Sequence, residues 1–172
     1  MTSSVPEAVA RVAEPADGGE RALLLGWLAF HRDALEAKCA GLSAAQLVER
    51  AVAPSPLSLL GLVRHLAEME RVYGVWANCC PSELVFVWGQ YAEGGPEHDF
   101  DCAASQVADS MRAWRDERIS TDGAIRGLEL DDAGGANGRS LRWNLQKLVG
   151  EYARHNGHAD LLRERIDGAT GE

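Results

Sequence analysis

The sequence predicts an all-α protein, a bundle of four long helices joined by two long connections. Apolar residues recur every three or four positions in four separate stretches, which is the periodicity of a helix with one buried face. Capping or breaking residues stand at the ends of these stretches. The stretch Thr121–Gly138 carries five glycines and several acidic residues, as a long connection does. Helices with such stripes bury them against one another in a bundle.

Three regions are expected along the chain. Residues 1–19 are rich in small and polar side chains and are predicted to be a disordered tail. Residues 20–168 are predicted to form one helical domain, and residues 169–172 a short C-terminal tail. A chain of 172 residues is long enough to bury one sizeable core in a single domain.

The first helix is predicted to begin near Glu20 and to end at Gly41. Its stripe follows a 4-3-4-4 spacing: Leu24, Leu28, His31, Leu35 and Cys39. Its charged residues are expected to lie mostly off the stripe: Arg21, Arg32, Asp33, Glu36 and Lys38. Ser43 can cap a short helical turn after Gly41.

Ser58 is predicted to cap a second long helix that ends between Asn78 and Pro81, because proline disfavours helix at the residue before it. Ser82–Gly95 is ambiguous, since its apolar run Leu84–Trp88 suits either a short strand or a loop lying on the core. A third helix is predicted from Ala103 to about Ser120. Its stripe is Val107, Met111 and Trp114.

The fourth helix follows Asn137–Ser140 and is predicted to end near Gly168. Its stripe has a 4-3 alternation with one gap: Leu141, Leu145, Leu148, Tyr152, Ala159, Leu162 and Ile166. His155 occupies the gap, with Glu151 one turn before it and His158 three residues after it. Polar groups therefore stand in consecutive turns of a buried seam.

A bound divalent metal is one explanation for these polar residues on a buried helix face. Burying an ionised carboxylate there costs free energy unless an opposite charge compensates it. Glu151 and His155, at i and i+4, can both point at one ion. The alternatives are a buried Glu151–His155 pair without metal, or a Glu151 that pairs with Arg154 in solvent. His65, on the second helix, is bracketed by apolar residues and is a third candidate ligand. Three such ligands leave coordination positions open, as catalytic metal sites do.

At these residues the chain resembles the mycothiol-dependent branch of the DinB-like superfamily, from about Glu20 to Gly168. The segments that carry the resemblance are Ser58–Leu66 (SLLGLVRHL) and Glu151–Glu164 (EYARHNGHADLLRE). The superfamily has one ligand histidine on the second helix and most often an H-x-x-x-H pair on the last. In mycothiol-dependent maleylpyruvate isomerases the first residue of that pair is Glu. The resemblance therefore implies the metal ligands His65, Glu151 and His155, in an up-down-down-up bundle with long crossovers.

A second register of the ligand pair stays open, in which His155 and His158 bind the metal and Glu151 stands outside the ligand set. The resemblance implies a metal-dependent enzyme that transfers a low-molecular-weight thiol, mycothiol, to an electrophilic small molecule. Zinc is the expected metal and nickel the alternative. His31 and His158 are candidate catalytic residues, and Asn144 and Arg154 are candidate cofactor contacts.

Two other functions are compatible with the same Glu and His residues on the buried face of the fourth helix. One is a metal-dependent hydrolase that uses no mycothiol, and the other is a non-catalytic helical bundle with a buried Glu/His network. A homodimer is possible through Tyr73 and Trp76. His98, in a glycine-rich loop, is expected to be exposed and without a role.

Composition and charge exclude several classes of partner. The chain has 17 Lys and Arg against 26 Asp and Glu, a formal net charge of −9, which argues against nucleic-acid binding. No apolar run approaches the length of about 20 residues that spans a bilayer. The N-terminus lacks the features of a signal peptide, so a cytoplasmic protein is expected. The four cysteines form no C-x-x-C pair and are predicted to be buried or half-buried free thiols: Cys39, Cys79, Cys80 and Cys102.

Overall fold

The computed structural model of the chain describes residues 10–79, 83–88, 100–132 and 135–171. Every regular element in these ranges is helical and none of their residues forms a strand, which confirms the all-α class. A π-helical segment, Glu70–Trp76, joins α3 to α4, and a 3-10 turn, Ala104–Gln106, precedes α5. The α-helices are α1 Glu20–Cys39, α2 Ala44–Leu47, α3 Leu59–Met69, α4 Ala77–Cys79, α5 Val107–Ala124 and α6 Leu141–Asp167.

The helix boundaries follow from the capping residues predicted in the sequence. Ser43, Ser58 and Ser140 each accept a hydrogen bond from the backbone N–H of the third residue after them, and α2, α3 and α6 begin directly after these serines. Gly168 ends α6 in the left-handed conformation, with φ +81°, which glycine adopts without steric cost. The predicted limits of the first and last long helices are confirmed to within two residues, and the predicted second helix corresponds to α3, the π-helical segment and α4 together, from Leu59 to Cys79.

The long helices share one core. α1 lies along α6, and α3 with its π-helical continuation lies along α5 and also contacts α6. The predicted stripes supply most of the buried side chains, while Leu24, His31 and Ile166 are half-buried. This packing places the middle of α3 opposite the middle of α6, where the candidate ligands lie.

Arg32 is an exception to the predicted stripe of α1. The prediction that it lies off the buried face is wrong, since the residue is only 4% exposed. Its guanidinium donates two hydrogen bonds to the buried Glu70 carboxylate, at 2.7 and 2.6 Å. Tyr152 donates to the same carboxylate at 2.7 Å, and Trp114 donates to the Tyr152 hydroxyl at 2.8 Å. Arg32 is buried because Glu70 compensates its charge.

The π-helical segment was not predicted, and it changes how α5 ends. Gly74 lies so close to α5 that a Cβ there would overlap the side chain of Thr121. The Thr121 hydroxyl also lies 3.3 Å from the carbonyl oxygen of Glu70, to which it donates. These contacts hold Thr121 in a helix, so α5 continues to Ala124 instead of ending near Ser120.

The connections agree with the sequence in part. In residues 83–88 the chain forms no strand, and Val85 and Val87 are exposed while Trp88 packs on the core. Cys39 is buried and Cys102 half-buried, as predicted, but Cys79 is exposed, so that prediction is wrong for it. Cys80, His98 and residues 89–95 lie outside the described residues.

Residues 10–19 have no regular secondary structure but lie against α1. The backbone N–H of Val12 donates to Asp33 at 3.1 Å, and the Arg11 guanidinium stands over the Phe30 ring. Residues 1–9 lie outside the described part, so a disordered tail and the domain limits stay predictions. Among the described helices, none is both long and apolar enough to cross a membrane.

Candidate metal centre

The three predicted ligands come together between α3 and α6. One ligand atom each of His65, Glu151 and His155 lies within 4.8 Å of the other two. Glu151 and His155 share a face of α6, with His155 Nε2 at 3.6 Å from Glu151 Oε2. His65 reaches them from α3, and its ring centroid is 4.6 Å from that of His155.

The residues fit a divalent metal ion. Zinc binds histidine nitrogen and carboxylate oxygen at about 2.0–2.2 Å, so ligand atoms around it stand roughly 3.3 Å apart. The cluster spans at most 4.8 Å, which small side-chain rotations can close. Two nitrogens and one oxygen also suit zinc or nickel, and a set of three leaves a position for a substrate.

His155 is in the protonation state that binds metals. Burial, together with the neighbouring His65 and His158, lowers its pKa to about 4, although Glu151 opposes the shift. At neutral pH the ring is therefore uncharged and carries a free nitrogen lone pair. A metal ion need not displace a proton from it.

Glu151 is held by a lysine that the sequence analysis did not single out. Lys147 pairs with Oε1 of Glu151, while Oε2 faces His155. Burial alone would raise the pKa of Glu151, but the hydrogen bond and charge of Lys147 outweigh it and the pKa lies below its ordinary value. The predicted alternative of a Glu151–Arg154 pair is not seen among the described residues, whereas the 3.6 Å contact of Glu151 with His155 is compatible with the other alternative, a buried pair without metal. The i, i+4 spacing of Lys147 and Glu151 was the available signal.

His158 stands behind His155 and outside the three-residue cluster. Its Nδ1 lies 3.2 Å from Nδ1 of His155, on the other side of that ring from the atom facing Glu151. Histidine ligands commonly donate their second N–H to a nearby acceptor, which fixes the ring. This arrangement favours Glu151 and His155 as the ligand pair on α6, with His158 orienting His155.

Phe100 covers His65, a contact that sequence reasoning missed. The two rings stack with centroids 5.9 Å apart and planes inclined by 24°. Gly61, one turn before His65, allows this approach, because a Cβ there would lie 2.6 Å from Phe100 Cδ1. The buried Glu68 also holds the preceding part of this connection, since its Oε1 accepts backbone N–H groups of Val87 and Trp88 at 2.6 and 2.9 Å. Phe100 thereby covers one face of the His65 ring.

The other predicted site residues are not part of the cluster of His65, Glu151 and His155. His31, half-buried on α1, is held by Asn156, whose side-chain nitrogen donates to the His31 carbonyl at 2.9 Å. Burial lowers the pKa of His31, partly offset by Glu14. Asn144 is buried two turns before Glu151, and its amide bonds to two other asparagines, Asn78 and Asn137. The catalytic and cofactor roles of these residues stay predictions.

Arg154 is exposed on the outer face of α6, where it lines a shallow groove together with Lys147. Arg163 is occupied elsewhere, since it donates to the carbonyls of Lys38 and Ala40 at the end of α1. Arg163 lies on the opposite face of α6 from Arg154, so Arg154 is the one of these two arginines that stands beside Lys147 at the groove.

Comparison with protein families gives one match. The model of the family described as mycothiol-S-transferase matches residues 23–168, a range that contains all three candidate ligands. The resemblance drawn from the sequence is confirmed by this match. Comparison with curated proteins and with solved structures gives no significant match.

Proposed function

Because the chain belongs to the mycothiol-S-transferase family, we propose that it is a metal-dependent thiol transferase. It would activate mycothiol at a divalent metal for attack on an electrophilic small molecule. The observation that carries the metal dependence is the cluster of His65, Glu151 and His155, with ligand atoms within 4.8 Å of one another.

The ligand set suits the activation of a thiol. A divalent ion held by two neutral imidazoles and one carboxylate keeps a net charge near +1, and it favours loss of the proton from a thiol at its open position. In the overall reaction the S–H bond of the thiol and the bond from the electrophilic carbon to its leaving group break, a C–S bond forms, and the proton and the leaving group (halide, for a haloalkyl substrate) are released to solvent. We expect zinc, with nickel as the alternative.

The residues around the ligands would orient the reaction. Lys147 holds the Glu151 carboxylate and leaves its second oxygen directed at the cluster. His158 fixes the ring of His155. We retain His31 and His158 as candidate proton acceptors or substrate contacts, and Asn144 and Arg154 as candidate cofactor contacts.

For the molecule as a whole we propose an up-down-down-up four-helix bundle over residues 20–168. The packing of α1 on α6 and of α3 on α5 and α6 supports it. A cytoplasmic location, and a homodimer formed through Tyr73 and Trp76, stay proposals. Sedimentation of the purified protein tests the dimer directly.

A thiol-transfer assay tests the proposed activity. The full-length chain, loaded with zinc and dialysed, is incubated with mycothiol and a fluorogenic haloalkyl electrophile, and the conjugate is identified by mass spectrometry. We expect conjugate formation well above the uncatalysed rate, its loss after chelator treatment and in His65→Ala, and little activity with glutathione or cysteine.

Two results of this assay would contradict the proposal. The first is a rate equal to that without enzyme, with metal bound. The second is a rate that neither the chelator nor His65→Ala changes. Hydrolysis of an ester substrate in the absence of any thiol would favour the hydrolase instead.

A further inference from the structure

A groove of about 280 Å³ lies on the outer face of α6, directly beside the proposed metal ligands. Five residues line it: Trp143, Gln146, Lys147, Gly150 and Arg154. Lys147 belongs both to this groove and to the metal site, because its ammonium contacts Glu151. A ligand in the groove would therefore lie next to the metal site. The volume of the groove is just below the range of about 300–1,000 Å³ that is usual for ligand pockets.

The lining of the groove combines an aromatic surface with hydrogen-bond donors. Trp143 is 42% exposed, and Tyr73 packs against it with ring centroids 6.1 Å apart, which holds the indole in place. Lys147, Arg154 and Gln146 supply ammonium, guanidinium and amide N–H groups. A wholly apolar ligand would cover these groups without offering any of them an acceptor, at a cost in desolvation. A ring that has an apolar C–H face and several hydroxyl oxygens satisfies both parts of the lining.

Gly150 keeps the groove open. Glycine inside a helix costs about 1 kcal/mol relative to alanine. Packing does not require glycine here, since a Cβ at Gly150 would meet no atom within 4 Å. The residue lies on the exposed face of α6, in the turn that carries Lys147 and Arg154. Any larger side chain at this position would occupy the space of the groove.

We propose that this groove binds the sugar–inositol portion of the thiol cofactor, with Trp143 against a ring face and Lys147 and Arg154 donating to hydroxyl oxygens. The assignment rests on the proposed function. The sugar–inositol portion reaches the groove only if the sulfur of the same molecule lies at the metal site. It gives Trp143, Gln146 and Gly150 a role that the sequence analysis did not assign.

Calorimetric titration with glucosaminyl-inositol, which is the cofactor without its cysteine, tests the proposal. The full-length protein is measured both zinc-loaded and after chelator treatment, because the groove does not need the metal to bind this fragment. The test variants are Gly150→Leu, which fills the groove, and Trp143→Ala, which removes the aromatic surface. Gly123→Leu is the matched control, since Gly123 is an exposed helical glycine on α5 whose Cβ would also meet nothing within 4 Å.

We expect the Kd for the fragment to rise at least tenfold in Gly150→Leu and Trp143→Ala and to stay within twofold of wild type in Gly123→Leu. Thermal melts establish that all three variants are folded. Zinc content is expected to be unchanged in Gly150→Leu, because the substitution touches none of the ligands.

Three outcomes would overturn the proposal: no binding of the fragment to the wild type, an unchanged Kd in Gly150→Leu, or a groove that binds small dicarboxylates in place of the fragment. These outcomes are separable from failure of the proposed function. Thiol transfer with an unchanged fragment Kd in Gly150→Leu rejects the groove alone. Fragment binding that Gly150→Leu abolishes, in a protein without metal-dependent transfer, supports the polyol site and rejects the transferase.

Discussion

At the scale of single residues, the charge states of Glu151 and His155 decide what the site can bind. The carboxylate is ionised because Lys147 holds one of its oxygens, and the imidazole is neutral because it is buried beside two other histidines. Both are therefore in their metal-binding forms near neutral pH. Their common direction follows from the i, i+4 spacing on α6.

Removing either ligand on α6 should abolish metal binding. We expect His155→Ala and Glu151→Ala each to lose stoichiometric zinc, with helical content by circular dichroism close to that of wild type. His158→Ala should keep a full equivalent of zinc but bind it about 10–100-fold more weakly, as expected when the partner that orients a ligand is removed. Competition with a chromophoric chelator measures the affinities.

The reverse pattern would identify the other register. If His158→Ala loses the metal and Glu151→Ala retains it, the pair on α6 is His155 and His158. Full retention of zinc in both His155→Ala and Glu151→Ala would reject the site altogether.

The stability of the apo protein should depend on pH through His155. Folding lowers the pKa of this residue from its ordinary value of 6.5 to about 4, so between these values the unfolded chain binds more protons than the folded one. The contribution to stability is full above pH 6.5 and is lost as the pH falls toward 4, at no more than about 1.4 kcal/mol per pH unit. Urea denaturation of chelator-treated wild type and His155→Gln at several pH values isolates it. Equal pH dependence of the two proteins would contradict the prediction.

Much of the site could be predicted at this scale, and the reason is local. Glu151, His155 and His65 stand at helical spacing among apolar residues, so the sequence places them at a buried face. The contacts of Phe100 could not be predicted, because it approaches His65 from a connection without periodicity. Lys147 had a visible spacing to Glu151, but exposed i, i+4 pairs of this kind are common and carry little information.

At the scale of elements, the π-helical segment Glu70–Trp76 is the main departure from the sequence prediction. The residue types that form π-helices also form α-helices, and apolar periodicity does not separate a seven-residue π segment from its α-helical neighbours. Its register places Glu70 in the core and Gly74 against α5. The burial of Arg32 was also not predicted. Its partner Glu70 is 38 residues away in the chain, so no local pattern joins the two residues.

The contact between Gly74 and α5 should make this glycine irreplaceable by alanine. We expect Gly74→Ala to lower the free energy of unfolding by about 1–3 kcal/mol, because the added methyl group overlaps Thr121. Gly123→Ala is the control, with open space at its Cβ and an expected gain of about 0.5–1 kcal/mol. Thermal or urea unfolding compares them, and equal stability of the two variants would show that the close approach is wrong.

The buried pair of Arg32 and Glu70 should be costly to break. We expect Glu70→Gln to destabilise the protein by about 3 kcal/mol, because it leaves only the exposed Asp122 carboxylate, 2.8 Å away, to compensate the buried Arg32 guanidinium. Tyr152→Phe removes one hydrogen bond to the same carboxylate and should cost about 1–3 kcal/mol. Urea unfolding measures both. A loss below about 1 kcal/mol in Glu70→Gln would contradict this prediction and would mean that Asp122 or water compensates the charge of Arg32.

At the scale of the whole molecule, the site depends on which helices meet. Helical periodicity predicts four amphipathic helices but not their neighbours, since an apolar stripe can pack against any other. The resemblance to the mycothiol-dependent branch supplied that missing information, and the packing of α3 on α6 agrees with it. The formal net charge of −9 is compatible with a small-molecule function and gives no preference among substrates.

The metal content of the purified protein tests the central claim most directly. Full-length wild type and His65→Ala are loaded with zinc, and in parallel with nickel, then dialysed and measured by elemental analysis. His65 is the informative position because it is the ligand on a different helix from the other two, so its effect reports the meeting of α3 and α6 as well as the site. We predict about one metal ion per chain in wild type and a loss of at least about tenfold in His65→Ala. No bound metal in wild type, or equal metal content in both proteins, would contradict the account.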